Sequence, residues 1–140
     1  MKAKRSTTAL IEKGKDGTFG IFTPELKHSI IGEGATVIEA KEDFQNSVVE
    51  IIASYTGEGK EVPDELKGIT FEYKYDIASF FDYYDFINVS KFAERAGINP
   101  SLLRQYKSGS TKYISETQMK KIESALHEVG NELSNVQFFV

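Results

Sequence analysis

The chain contains no cysteine. Disulfides, thiolate metal sites and cysteine nucleophiles are excluded together, and the composition suits a reducing, cytoplasmic setting. Histidine is nearly as scarce, with only His28 and His127 present. No HxxxH, DxD or paired His/carboxylate metal spacing appears, so neither a catalytic constellation nor a metal site is expected. The glycine pairs Gly32/Gly34 and Gly57/Gly59 follow neither the GxGxxG nor the Walker pattern, so no nucleotide cofactor is expected either. Gly32 and Gly34 instead read as residues that let the chain turn from a strand into a helix. No long apolar run occurs, so neither a signal peptide nor a membrane span is expected. There is no internal repeat, no low-complexity stretch and no Gly/Ser linker.

What is present is a chain of 140 residues, 40% of them hydrophobic, with ten Phe and seven Tyr. That suffices for one ordinary domain or two small ones. After a charged arm, Met1–Arg5, TTALIE (7–12) reads as a strand. Gly14-Lys15-Asp16-Gly17 reads as a turn, since Asp-Gly is a strong hairpin signal. TFGIFT (18–23) is the returning strand, with Phe19 and Ile21 on one face and Phe22 on the other. Pro24 ends it, and KHSIIG (27–32) is expected as a third strand. Thr36-Val37-Ile38-Glu39 is a capping box opening a helix to about Tyr55. Val37, Ala40, Phe44, Val48, Ile51 and Tyr55 line one side of that helix. Glu39, Glu42, Asp43, Asn46 and Glu50 cover the other, as an ordinary solvated face also would. Ile69–Tyr75 alternates as a half-buried strand. The order β-β-β-α-β predicts a small α+β layer, with a boundary near Tyr75–Asp76.

Asp76 reads as a cap for a helix carrying Ile77, Phe80, Phe81 and Tyr84. Val89–Ser108 then shows a short apolar helix pattern (Val89, Phe92, Ala93, Ala96), the turn residue Gly97, the cap Asn99 and Pro100 at a first helical position. Leu102, Leu103 and Tyr106 give the second helix an apolar side and leave Ser101, Arg104, Gln105 and Ser108 outward. A plain pair of packed helices would share part of this pattern. Ser115-Glu116-Thr117-Gln118 is a second capping box, followed by the stripe Met119, Ile122, Leu126, Val129 and Leu133. Phe138, Phe139 and Val140 end the chain, and three apolar residues there are expected to dock on this domain or on a second subunit.

Charge divides along the same lines. Residues 86–121 hold seven Lys and Arg against two acids, whereas the first 68 residues hold nine basic residues against twelve acidic ones. A basic segment suits a phosphate backbone, and an acidic one suits a basic protein.

Val89–Ser108 resembles the helix-turn-helix of the Cro/XRE, lambda-repressor-like family. The resemblance implies that residues 76–140 form an all-α DNA-binding and dimerisation domain, with its second helix in the major groove of operator double-stranded DNA. The DNA-binding residues expected on that basis are Asn99, Ser101, Arg104, Gln105, Lys107, Ser108 and Lys112. Ser101, Arg104 and Gln105 would face base edges, and Lys107 and Lys112 phosphates. Leu133, Phe138 and Phe139 are candidates for the seam of a homodimer or higher oligomer.

The first half carries a second resemblance. Asp16-Gly17 before an aromatic strand, the Pro24 exit, and Gly34-Ala35-Thr36 leading into a helix with Glu39-Ala40 are similar to the HicB family of antitoxins. Where that family often has a Pro-Asp-Leu-Pro-Gly-like exit, this chain has Pro24-Glu25-Leu26-Lys27-His28. The resemblance implies that residues 1–75 form a partial, catalytically inactive RNase H-like domain. It also implies a type II antitoxin that binds a HicA-like toxin, a small basic ribonuclease, and represses its own operon. Asp16, Phe22, Glu39, Glu42 and Asp43 are the toxin-binding candidates. Two other readings stand beside it: an XRE-type repressor with an N-terminal ligand-binding domain, and an RNase H-like nuclease.

Overall fold

A computed structural model describes residues 5–111 and 113–140. Met1–Lys4 of the charged arm, and Lys112, lie outside the described residues. The chain forms two compact units, one ending at Phe80 and the other beginning at Phe81.

The first unit opens with β1 (Arg5–Lys13) and β2 (Phe19–Phe22), an antiparallel pair. Their turn is closed by Gly14 N–H donating to the Thr18 carbonyl, 2.8 Å, with Gly17 at φ 84°. β3 (Ile31–Gly34) pairs antiparallel with β2, and β4 (Ile69–Tyr75) pairs parallel with β1. The sheet order is β3-β2-β1-β4. Between β3 and β4 runs the helix α1 (Val37–Gly57), followed by a 3-10 turn at Asp64–Leu66. The order β-β-β-α-β is therefore as expected, in a mixed sheet.

The third strand begins later than its composition suggests. Thr23 is fully buried, and its hydroxyl accepts from Ile30 N–H at 2.9 Å, while its carbonyl accepts from the Ser29 hydroxyl at 3.3 Å. These bonds hold Lys27–Ile30 out of the ladder, so only Ile31–Gly34 is strand.

Ala9, Ile11, Phe19 and Ile21 point from the sheet onto Val37, Ala40, Phe44 and Val48 of α1. Phe44 sits edge-on to Phe71 of β4, ring centroids 5.0 Å apart. Truncating so central a ring costs about 3–5 kcal/mol in comparable cores. Thr36 caps α1 by accepting from Glu39 N–H at 3.1 Å, and the Glu39 carboxylate reaches back to Ala35 N–H at 3.0 Å, one residue before the cap.

Gly32 and Gly34 do not turn the chain as expected. They lie inside β3 and face α1, where a Cβ on Gly32 would come within 2.4 Å of the Phe44 nitrogen and one on Gly34 within 2.5 Å of the Ala40 nitrogen. Their role is close approach between strand and helix backbones.

After β4, Asp76 caps α2 (Ile77–Tyr83), its carboxylate accepting from Ser79 N–H at 3.1 Å. The unit boundary falls within α2, five residues beyond Tyr75.

The second unit continues with α3 (Val89–Ala96), α4 (Pro100–Ser108) and α5 (Glu116–Ser134). Phe81, Val89, Phe92, Ala93, Ile98, Leu103, Tyr106, Ile122 and Ala125 are its buried apolar residues. Ser115 caps α5 by accepting from Gln118 N–H at 3.2 Å. The reciprocal arm of that capping box is not made: Gln118 Oε1 is buried with no partner among the described residues. Of the α5 stripe only Ile122 is buried, Leu126 and Val129 are half-buried, and Met119 and Leu133 are exposed. No helix among the described residues is long and apolar enough to cross a membrane.

Candidate functional site

The candidate site is the outer side of α3 and α4, and local chemistry fixes both helices. Asn88 caps α3 by accepting from Lys91 N–H at 3.0 Å. Gly97 ends it in the left-handed conformation, φ 72°, with its N–H donating to Glu94 and the Ile98 N–H donating to Ala93. Only glycine takes that conformation without a steric penalty. Asn99 then caps α4, accepting from Ser101 N–H at 2.8 Å, with Pro100 at the first position, where its missing N–H costs nothing. Gly109, φ 76°, terminates α4.

Ala93 and Leu103 are fully buried, and Tyr106 nearly so. This orients α4 so that Ser101, Arg104, Gln105, Lys107 and Ser108 are all exposed, as the spacing predicts. Asn99 is exposed too, though its side-chain oxygen is committed to the cap. The hydroxyl of Ser108 turns back, bonding to the Gln105 carbonyl and to Ser110, both on or just beyond α4.

Two of the outward side chains are held by neighbouring groups. Arg104 Nη1 donates to Ser90 Oγ on α3 at 2.8 Å, and its Nη2 donates to Ser101 Oγ at 3.1 Å. The Thr111 hydroxyl donates to Gln105 Oε1 at 3.1 Å. Neither Ser90 nor Thr111 is among the residues expected from the sequence. Ser90 is fourteen positions from Arg104, and nothing in the local pattern signals the contact.

The basic residues around α4 differ in how far they are neutralised. Arg95 is paired with Glu132 and lies 3.8 Å from Glu128, both on α5, and Lys120 is paired with Glu116 at 3.0 Å. Lys91, Arg104 and Lys107 make no ion pair among the described residues. Across the whole second unit seven basic residues meet seven acids. The acids absent from residues 86–121 are Asp82 and Asp85 before α3, and Glu123, Glu128 and Glu132 on α5.

The five toxin-binding candidates in the first unit are less alike than the sequence suggests. Asp16 accepts from both the Thr18 N–H, 3.0 Å, and the Thr18 hydroxyl, 2.7 Å, and these bonds hold its carboxyl below its ordinary pKa. Glu39 is bonded to Ala35 N–H, and Asp43 accepts from Glu33 N–H at 2.8 Å. All three acids fasten backbone. All four acids are exposed, and Glu42 alone among them makes no side-chain hydrogen bond or ion pair among the described residues. Phe22 is half-buried on the sheet face away from α1, directly opposite Leu10 on one side and Ile31 on the other.

The terminal apolar residues do not dock on their own domain. Phe138 is 88% exposed and Phe139 and Val140 wholly so, and Leu133 is also exposed. Both histidines lie on the surface. Among the described residues no three His, Asp or Glu side chains cluster so as to hold a metal ion.

The chain matches no protein-family model, no curated protein and no solved structure.

Proposed function

We propose that this protein is an antitoxin-type repressor that reads double-stranded DNA with α4 and uses its first unit to bind and block a small basic ribonuclease. In this reading α3 and α4 form a helix-turn-helix of the lambda-repressor type, and the first unit is a partial RNase H-like domain serving as a binding surface. The observation that carries it is the exposed row Ser101, Arg104, Gln105 and Ser108 along α4, flanked by Lys91 and Lys107 without acidic partners. A helix end bearing hydrogen-bonding side chains, with cations at its rim, suits base edges inside and phosphates outside.

The toxin-binding half of the proposal rests on the HicB-like pattern of Asp16-Gly17, Pro24 and Gly34-Ala35-Thr36 and on the unit's acidic balance. Complementary charge raises the association rate with a basic partner.

Selection of the full-length protein on a pool of randomised duplex DNA tests the first half. The expected product is a two-fold symmetric sequence, as a dimer of such units requires. Arg104→Ala should cost about 1–3 kcal/mol on that sequence and relax the preference. Lys107→Ala should weaken binding to every sequence and lower the salt slope by about one. An unenriched pool would refute the DNA reading. For the second half, co-purification from the native operon should bring down a small basic ribonuclease, and a protein recovered alone would count against it.

A further inference from the structure

We propose that Ser90, on α3 and outside the DNA-reading helix, is a positioning residue that sets sequence preference by aiming Arg104 at a guanine. This rests on the DNA reading above and deepens it by naming a base and the residue that determines it.

An arginine on a helix surface samples many rotamers, and the freedom lost on binding lowers both affinity and discrimination. Here the guanidinium is already held at two points, by Ser90 Oγ at 2.8 Å and by Ser101 Oγ at 3.1 Å. Both serines are second residues of their helices, and both helices have fixed starts. Asn88 caps the first turn of α3, and Asn99 holds the Ser101 N–H itself. The two hydroxyls therefore stand on rigid backbone, and their spacing fixes the plane of the guanidinium. Ser90 also links α3 to α4, so the aim of Arg104 depends on how the two helices are set.

A guanidinium has five N–H donors, of which the serines take two. Three remain for an acceptor pair of matching geometry. In the major groove guanine offers that pair, O6 and N7, and no other base does. Lys107, three residues on, has no such support and no hydrogen bond among the described residues. Its ammonium is a point charge without the planar fork, suited to a phosphate.

The experiment compares wild type, Ser90→Ala, Ser90→Thr and Arg104→Lys, all full length, on the randomised duplex pool. It reads base preference at each position and affinity against salt. Wild type should show a guanine preference at one position of each half-site. Ser90→Ala should reduce that preference about tenfold, the scale of one hydrogen bond to a charged group, and leave other positions and the salt slope unchanged. Ser90→Thr keeps the hydroxyl and should restore the preference. Arg104→Lys keeps the charge without the fork and should erase the same guanine, a result that does not depend on α3 tolerating substitution.

Equal loss on all sequences in Arg104→Lys or Ser90→Ala would mean that Arg104 grips a phosphate, and would overturn the inference. So would an unchanged guanine preference in Ser90→Ala. A wild-type protein that enriches no sequence would overturn the DNA reading itself, a distinct result.

Discussion

Gly32 and Phe44 meet backbone to backbone: a methyl group on residue 32 would stand 2.4 Å from the Phe44 nitrogen and 2.5 Å from its Cα. Neither contact is to a flexible side chain, so β3 or α1 must move to admit it. Gly32→Ala should destabilise the first unit by about 1–3 kcal/mol or more, the cost of overpacking a close contact. Gly34→Ala should behave likewise. Gly57→Ala, at the end of α1 with nothing within 4 Å, should be neutral or stabilise by up to about 1 kcal/mol. Urea midpoints of the three variants check this order.

Acid reversal should separate two kinds of carboxylate in the first unit. Glu42→Lys removes an exposed charge that fastens nothing, so it should slow association with a basic ribonuclease and leave the melting temperature within about 1 °C. Asp43→Lys removes the acceptor for Glu33 N–H as well, and should lower the melting temperature by several degrees. Stopped-flow association rates at two salt concentrations, read beside thermal scans, would show whether Glu42 contributes. An unchanged rate would place the partner surface elsewhere.

The exposed end of the chain predicts self-association. Leu133, Phe138 and Phe139 form apolar surface that a dimer would cover. Deleting residues 135–140 should lower the mass seen by light scattering, or shift the dimer–monomer midpoint to higher concentration. Retention of both mass and concentration dependence would remove these residues from the seam.

Asp16 supplies a pH dependence with a defined sign. Its carboxylate is stabilised in the folded turn by the two Thr18 bonds, so its folded pKa lies below the unfolded one. The stability it contributes is fully present above the unfolded value, near pH 4, and is lost as pH falls through the folded value. The difference in urea midpoint between wild type and Asp16→Ala should therefore be largest at pH 7 and shrink below about pH 4.

The parts of this fold legible in the sequence are those that short-range chemistry dictates. Asn99-Pro100 marks the start of α4, Gly97 its preceding turn, Thr36 and Glu39 the start of α1, and the alternation of Ile69–Tyr75 a strand, because each signal lies within a few residues of the feature it makes. What the sequence did not disclose depends on partners distant in the chain. Lys27–Gly32 reads as a strand throughout, but the buried Thr23 hydroxyl takes Ile30 out of the ladder. Gly32 and Gly34 look like turn residues until α1 is seen lying on them. At the candidate site the outward set on α4 followed from helical spacing. Ser90 did not, since its claim to relevance is a bond across two helices, and Asp43 looked like plain surface charge until its backbone donor, Glu33 N–H, was visible.

The parallel pairing of β1 with β4 has a consequence for synthesis. Thr70 donates its hydroxyl to the carbonyl of Arg5, 65 residues earlier, and the two strands stay in register from Arg5↔Ile69 to Ile11↔Tyr75. On the ribosome, β1, β2, β3 and α1 emerge with one flank of β1 still lacking its neighbour. That flank, running through Ala9, Leu10 and Ile11, is a template for any passing strand until Tyr75 has cleared the exit tunnel. A stalled or truncated chain ending before β4 would thus be hazardous to its neighbours, and its pairing with other nascent copies would be the first symptom.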